Sequence, residues 1–203
     1  MTGIIGLEID REMIDMLLQN SYGSVERWST IPSEIWRKET GRFEAVPNLH
    51  RGSLNEWYMT LVNKIQKVSN MIHKKTLRAG ATFLIVSPEV ATVIESIPGF
   101  SPDTDGAKSV FNMGTEKVGT INKRWTVYKY PDMDTNRILV GYKGDSIYDA
   151  GAVYAPYIPI ITTPLFPDPS TLVRIFGMHT RYAKQMLRPE FYGNIIVKGL
   201  ENV

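Results

Sequence analysis

One serine of the chain stands in a pattern that could support nucleophilic catalysis. Ser146 follows Gly144-Asp145, and a serine hydroxyl becomes a nucleophile when a histidine oriented by a carboxylate takes its proton. The candidate base would be His179, but the four residues before it, 175–178, contain no carboxylate, and the chain has no G-x-S-x-G turn. A small serine hydrolase using Ser146 is therefore kept as an alternative, and we interpret Ser146 as part of a turn that ends a strand.

Metal binding finds equally little support in the spacing of acids and histidines. Asp103 and Asp105 could begin a calcium loop, but its twelfth position would be Gly114 where such loops need a bidentate Glu. The three histidines of the chain are scattered: His50, His73 and His179. None has a neighbour at metal-ligand spacing, so we predict a solvated turn at Asp103 and no metal or other cofactor.

Basic residues recur along one predicted helix. They are Lys64, Lys67, Lys74, Lys75 and Arg78. This basic face could meet nucleic acid or acidic groups of another protein, although a solvated face is the simpler interpretation. Lys and Arg total only 23 against 21 acids, for a net charge of +2, and no paired aromatic platform accompanies them. A dedicated nucleic-acid-binding module is therefore a third, weaker alternative.

Composition predicts an ordinary globular chain. With 203 residues, 43% of them hydrophobic, it can bury roughly 70% of its unfolded surface in one sizeable core or two small ones. The absence of Cys excludes disulfides and thiolate metal sites and suits a reducing compartment. No stretch approaches the ~20 apolar residues of a membrane span, and the N-terminus lacks a signal-peptide pattern, so we expect a soluble protein that is not exported.

Two helices are predicted in the first half of the chain. Apolar residues at helical spacing indicate an amphipathic helix over residues 5–19. A capping box at Ser53 and Glu56 begins a second, long helix over 53–78, with Gly80 as its stop. Its apolar stripe consists of Trp57, Leu61, Ile65, Val68 and Ile72. We expect this long helix to lie against the core along that stripe.

The second half of the chain favours strands. A buried strand over 81–86 leads into a helix capped by Ser87, which should end near Pro98-Gly99, and an exposed loop is expected over 100–114. Further strands are predicted over 124–130, 138–142, 152–163 (broken by Pro156 and Pro159), 172–182 and 194–200. A helix-led half followed by a strand-rich half predicts an α+β fold.

Short blocks in the second half follow one another in a distinctive order. They are Gly141-Tyr142-Lys143-Gly144, Asp149-Ala150-Gly151, Tyr154-Ala155-Pro156-Tyr157, Thr180-Arg181-Tyr182 and Val197-Lys198-Gly199. The ordered series resembles the C-terminal part of the major capsid protein of T-even-type tailed phages, a family with the HK97-type capsid fold. The helix from Ser53 to Arg78 is similar to the family's long spine helix, and the resemblance extends over nearly the whole chain.

The resemblance implies both an architecture and a function. A peripheral (P) domain would comprise 1–80 and 170–203, with the spine helix at 53–78, and an axial (A) domain would comprise 81–169. The chain would be a structural shell subunit without enzymatic activity, forming hexamers and pentamers that enclose the DNA genome. Other capsid, scaffold, portal or decoration proteins would be partners, and packaged DNA would be met non-specifically on the inner surface. We expect it in the virion capsid, assembled in the host cytoplasm away from membranes, with the related vertex protein as the alternative.

One difference from the family concerns contacts between subunits. Full-length members carry an N-terminal arm and an extended hairpin loop ahead of the first helix, which are absent here; we expect either a truncation or a small member whose connector, 22–52, does part of that work. The possible subunit contacts are Trp28, Trp36, Phe43, Arg181 and Tyr182. The first three lie in the connector, which is predicted to have no regular structure, and the last two combine residue types that are enriched at interfaces.

Overall fold

The computed structural model describes residues 2–21, 24–103, 114–133, 136–167, 169–170 and 173–202. Its helices are α1 (Thr2–Gln19), α2 (Leu54–Thr76) and α3 (Pro88–Glu95). Its strands are β1 (Val25–Ser29), β2 (Glu34–Arg37), β3 (Arg42–Ala45), β4 (Phe83–Val86), β5 (Phe100–Pro102), β6 (Glu116–Ile121), β7 (Trp125–Lys129), β8 (Arg137–Gly141), β9 (Ala152–Thr162), β10 (Phe166–Pro167), β11 (Arg174–Ile175), β12 (Met178–Met186) and β13 (Tyr192–Lys198). The predicted α+β class is confirmed.

A mixed seven-stranded sheet forms the centre of the molecule, in the order β1-β13-β8-β4-β7-β6-β5. Successive side chains of a strand point to opposite faces, and β4 shows this directly. Leu84 and Val86 lie in the cluster that contains the buried stripe of α2 and the apolar side of α3, whereas Ile85 lies in the cluster that contains Ile14 and Leu18 of α1. The sheet is therefore covered by α2 and α3 on one face and by α1 on the other.

The long helix α2 begins as its capping box predicts. The Ser53 hydroxyl accepts a hydrogen bond from the Glu56 N–H at 3.4 Å, and the Glu56 carboxylate accepts one from the Ser53 N–H at 3.2 Å. All five residues of the predicted stripe are buried. The helix ends at Thr76 and not near Gly80, because Leu77 adopts a left-handed conformation with φ 55° and its N–H bonds to the His73 carbonyl.

The connector over 22–52 was wrongly predicted to lack regular structure. Residues 25–29 form β1, an edge strand that runs parallel to β13, and β2 and β3 form an antiparallel hairpin beside it. The inward-facing side chains of β1 are Glu26 and Trp28, both buried. Because the buried residue Glu26 is charged, the sequence of β1 does not show the alternation of apolar and polar residues that identifies a half-buried strand.

The segment over 100–114 also differs from the prediction of an exposed loop. Its first three residues form β5, which pairs with β6 at the edge of the large sheet, and residues 104–113 lie outside the described part of the chain. The helix α3 begins at its Ser87 cap as predicted and ends at Glu95, three residues before Pro98. No described helix is long and apolar enough to cross a membrane.

The large sheet also bears on the division into two domains. Strands β1 and β13 come from the segments assigned to the P domain, and the other five come from the segment assigned to the A domain. One buried cluster likewise joins the α2 stripe to Leu84, Val127 and Val140. The boundaries at 80 and 169 therefore run through one sheet and one core, and the two-domain division stays a prediction.

Candidate functional site

Among the described residues, most of the exposed large apolar side chains lie in a two-stranded antiparallel ribbon. It is formed by β9 and β12, with the short pair β10 and β11 between them, and we call residues 152–187 the ribbon. The eleven residues of β9 span roughly 36 Å at ~3.3 Å per residue. Most of its side chains are exposed, whereas β4 and β8 in the large sheet are almost entirely buried.

The two prolines of β9 bend the ribbon without breaking it. The pairing shifts register twice, between Tyr182 and Arg181 and again between Arg181 and His179, and each shift leaves one extra residue on the β9 strand. Pro156 lies at the first bulge and Pro159 within the second. Bulges tolerate a residue that has no N–H to donate, so the strand predicted to be broken at these prolines is continuous.

The inner face of the ribbon is the face that meets α1. The Tyr182 hydroxyl donates a hydrogen bond to the Glu12 carboxylate at 2.8 Å, and the Lys184 ammonium lies 2.7 Å from the same oxygen. Tyr154 packs beside Tyr182, with their ring centroids 5.4 Å apart. Hydrogen bonds from Lys184 and Tyr182 hold the pKa of Glu12 below its ordinary value, and the bond to Glu12 raises the pKa of Tyr182 to about 12. The base of the ribbon is therefore fixed to α1 through one carboxylate.

The outer face of the ribbon turns away from α1. Arg181 and Ala183 alternate with Tyr182 and Lys184 along β12, so they point to the opposite side, and all of Arg181, Ala183 and the paired Ala155 are exposed. Tyr157, at the first bulge, is 76% exposed. This outer face combines an arginine and a tyrosine around a shallow floor of alanines.

Large apolar side chains are exposed along β9, at the described part of the tip and directly after β12. They are Val153, Tyr154, Tyr157, Ile160, Ile161, Leu165, Phe166, Val173, Ile175, Phe176 and Leu187. A two-stranded ribbon is at best marginally stable in water, and a contiguous exposed apolar surface usually marks an interaction site. The ribbon is therefore the main candidate for a surface that a partner covers.

The predicted contact residues of the connector pack within their own subunit. Trp28 is 4% exposed, and its indole N–H donates to the Thr60 hydroxyl at 2.8 Å, so almost none of its surface is available to a neighbour. Trp36 and Phe43 face each other across the β2–β3 hairpin with ring centroids 5.1 Å apart. Both rings are half-buried: the Arg27 guanidinium lies 4.1 Å from the Trp36 ring, and the Lys198 ammonium lies 5.2 Å from the Phe43 ring.

Arg181 and Tyr182 are adjacent in sequence but lie on opposite faces of the ribbon. Tyr182 is engaged by Glu12 on the inner face, whereas Arg181 is exposed and forms no ion pair with any residue that the structure describes. Glu12 was not predicted to be a site residue. In the sequence it is only one of the acids on the polar face of α1, and its role depends on the fold, which places that face beside β12.

The residues considered for catalysis and metal binding have ordinary structural roles. The Ser146 hydroxyl accepts a hydrogen bond from the Tyr148 N–H at 3.3 Å, which opens the short 3-10 turn Ile147–Asp149. Asp103 pairs with Lys117 at 2.5 Å, and Asp105 lies outside the described residues. The His50 ring bonds to the Ser53 carbonyl at 2.9 Å. Within the described ranges no three His, Cys, Asp or Glu side chains are grouped as metal ligands.

The basic face of α2 is largely neutralised by acids of the same chain. Glu26 of β1 is 6% exposed and lies 2.6 Å from the Lys67 ammonium and 3.4 Å from that of Lys64. Burial alone would raise the pKa of Glu26, but the two lysines outweigh it and hold that pKa below its ordinary value. At the end of the helix Arg78 pairs with Asp149. Lys64, Lys67 and Arg78 are therefore committed within the subunit, which weakens the interpretation of this face as a nucleic-acid site.

The architecture is that of the HK97-type capsid fold, as the resemblance implied. A solved structure from Mycobacterium phage Che8 matches the chain with a TM-score of 0.53 and 14% identity, over 95% of this chain and 59% of the other. A long helix packed against a mixed sheet, with a separate two-stranded ribbon, gives the chain the fold of phage shell proteins. The family model for "Major capsid protein Gp23" matches residues 1–202, so the chain belongs to that family.

Relatives by sequence agree with this membership. The chain is 30% identical over 186 residues to the major capsid proteins of Enterobacteria phages T6 and T4, covering 88% of this chain. The same matches cover 36% and 34% of those proteins, so the chain spans about a third of their length. The family is one of structural capsid proteins and not of enzymes, which confirms the prediction of no enzymatic activity and sets aside the hydrolase alternative. As its name states, a major capsid protein is a component of the virion capsid.

Proposed function

We propose that this chain forms a structural subunit of the icosahedral shell of a tailed phage, as a major capsid protein that associates into hexamers and pentamers around the DNA genome. The observation that carries the proposal is that a chain of the Gp23 family exposes large apolar side chains along β9 and at the tip of its ribbon. In a shell, neighbouring copies bury such a surface. The function is therefore one of geometry: identical chains associate through repeated contacts.

The ribbon has the residue types of a contact surface and not of a solvated edge. Solvated edge strands are usually protected by charges, but the exposed side chains here include Tyr157 at 76%, Phe166 at 51% and Leu165 at 64%. Aromatic residues contribute strongly to the energy of protein interfaces. The predicted contacts Arg181, Trp36 and Phe43 belong to the same proposal, with the last two contributing only the exposed part of their rings.

The proposal extends to partners other than further copies of the chain. Scaffold, portal and decoration proteins, and packaged DNA on the inner surface, are the partners that a shell subunit of this kind would meet. Because α2 offers few uncommitted cations, contact with DNA would be non-specific and salt-dependent. A chain without Cys is suited to assembly in the reducing host cytoplasm. The related vertex protein stays the alternative for the role within the shell.

Self-association tests the proposal, with two tyrosines as a matched pair. Tyr157→Ser removes an aromatic ring from the ribbon, and Tyr148→Ser removes one that is equally exposed, 81%, but lies outside it. We expect sedimentation velocity to show concentration-dependent association of the wild type, weakened about tenfold by Tyr157→Ser and unchanged by Tyr148→Ser. A wild-type chain that stays monomeric at every concentration, with no rings or shells in electron micrographs, would overturn the proposal.

A further inference from the structure

We infer that the outer face of the ribbon of one copy binds the exposed side of α1 of a second copy. This inference rests on the proposed function, because it names the partner surface for a chain that self-associates. It assigns a head-to-tail contact between two different surfaces of the same chain. A contact of that kind closes into a ring when the rotation between copies allows it.

The ribbon contributes an uncovered and positively charged surface. Arg181 is exposed, points away from the α1 of its own subunit and forms no ion pair within the described residues. Beside it, Tyr157 is 76% exposed, and the opposed Ala155 and Ala183 leave a shallow floor between the larger side chains. A floor of this kind leaves room for a helix to lie across the strands.

The exposed side of α1 has the complementary composition. Ile4, Glu8 and Asp15 are separated by four and seven residues, which places them on one side of an α-helix, and all three are exposed, Ile4 at 62%. We call these three residues the α1 strip. It offers one large apolar side chain followed along the helix by two carboxylates, which complement the apolar and cationic groups of the outer face.

The net charges of the two elements are opposite. α1 contains four acids and one base, Arg11, and that base is paired with Asp132 at 3.2 Å. The ribbon contains three bases, Arg174, Arg181 and Lys184, and one acid, Asp168, which lies outside the described residues. Complementary charge of this kind favours one docking partner over others and fixes the register of the contact.

The contact within each subunit already pairs the same two kinds of surface. On the inner face, Glu12 of α1 accepts hydrogen bonds from Tyr182 and Lys184, that is, from a phenol and a cation of the ribbon. On the outer face, Tyr157 and Arg181 offer a phenol and a cation again. The α1 of their own subunit is held against the inner face, so a carboxylate of α1 that meets them would come from another copy.

Cysteine cross-linking tests the inference cleanly because the chain has no cysteine. Single-cysteine chains Ile4→Cys and Tyr157→Cys, made with tags of different mass, would be mixed and oxidised with copper phenanthroline. Every disulfide formed is then intermolecular. We expect the mixed Ile4–Tyr157 dimer to dominate over both homodimers. As a matched control, Tyr148→Cys, equally exposed but outside the ribbon, should give little dimer with Ile4→Cys.

Three other results would contradict either the inference or the proposed function. A dominant Tyr157–Tyr157 homodimer would show that ribbons meet ribbons and would overturn the α1 strip as the partner. A lack of mixed dimer, while the wild type still associates, would also overturn the inference but leave the proposed function standing. A monomeric wild type would contradict the proposed function itself.

Charge reversal provides a second and independent test. Arg181→Glu and Asp15→Lys should each weaken self-association about tenfold, and an equimolar mixture of the two should recover association through the Glu–Lys pair. Lys38→Glu and Glu39→Lys make the same charge changes at the exposed β2–β3 turn and should have little effect. If the mixture associates no better than either variant alone, Arg181 and Asp15 do not face each other.

Discussion

The Tyr182 hydroxyl and the Glu12 carboxylate are 2.8 Å apart, and this hydrogen bond joins the ribbon to α1. Lys184 binds the same carboxylate at 2.7 Å, so one acidic residue holds two side chains of β12. Because α1 also packs against the large sheet through Ile14 and Leu18, the bond links the ribbon to the core through the helix between them. Glu12 therefore helps to hold the ribbon in its direction, together with the backbone hydrogen bonds from Leu187 and Arg188 to the Gly151 carbonyl.

The first prediction concerns the titration of Tyr182. Since Glu12 raises the pKa of Tyr182 to about 12, the phenol contributes stability below its ordinary value of 10.0, and that contribution is lost as the pH rises through about 12. In Glu12→Gln the pKa of Tyr182 should return towards 10.0, which an absorbance titration of phenolate would detect. Tyr182→Phe should remove one phenolate from the late transition, to which Tyr130 and Tyr192 also contribute because burial raises the pKa of each. A late transition of unchanged size in Tyr182→Phe would contradict the assignment.

The second prediction compares two apolar positions of α2. Leu61 is fully buried in the stripe, whereas Met59 on the same helix is 46% exposed. An unpaired charge in a core costs several kcal/mol, so Leu61→Asp should fail to fold or melt far below the wild type, while Met59→Asp should change the melting temperature little. Circular dichroism melts would measure both. Equal melting temperatures for the two variants would contradict the packing of the stripe.

The third prediction concerns the close approach of α2 to β13. A Cβ atom added at Gly193 would lie 2.6 Å from Val68 Cγ1 and 3.1 Å from the Ser24 carbonyl oxygen. Gly193→Ala should therefore lower the free energy of unfolding by about 2 kcal/mol.

Two further variants locate the cause of that loss. Because Val68→Ala removes the clashing methyl group, the double variant should be more stable than the sum of the two single changes predicts. Gly6→Ala, where nothing lies within 4 Å, should not destabilise the protein. If the losses of stability in Gly193→Ala and Val68→Ala simply add in the double variant, the strain comes from the Ser24 carbonyl and not from Val68.

Local signals predicted the helices well. The capping box at Ser53 and Glu56 acts within one turn, and the α2 stripe has a single dominant period, so the start and the buried face of the helix were readable in the sequence. The Ser87 cap located α3 for the same reason. The C-terminal end of α2 was less predictable, because a left-handed residue there is usually Gly and the chain uses Leu77.

Long-range pairing limited the prediction of strands and of the site. Strand β1 places Glu26 in the core. A buried glutamate is tolerated there because Lys64 and Lys67 of α2, 38 and more residues away in sequence, pair with it. The continuity of β9 past Pro156 depends on bulges set by its pairing with β12. The Arg181-Tyr182 pair was recognised by residue type, but only the strand alternation separates an inward Tyr182 from an outward Arg181.

The last prediction concerns Glu26 and its dependence on pH. Lys67 and Lys64 hold the pKa of this buried carboxyl below its ordinary value of 4.5, so its contribution to stability is fully present above about pH 4.5 and is lost as the pH falls through the lowered pKa. Glu26→Gln keeps the size of the side chain but leaves two ammonium groups without their acid, and should lower the free energy of unfolding at pH 7 by about 2 kcal/mol.

The acid dependence separates the loss of that ion pair from a simple packing defect. Urea unfolding of wild type and Glu26→Gln would be compared at pH 7 and at pH 3, and the difference between the two proteins should shrink at the lower pH, which lies closer to the lowered pKa of Glu26. Glu44→Gln is the matched control, because Glu44 pairs with Arg37 at 2.7 Å on the exposed β2–β3 hairpin, where an ion pair contributes about 0 to 1 kcal/mol. A difference that stays the same at both pH values would show that the loss in Glu26→Gln does not come from the charge of Glu26.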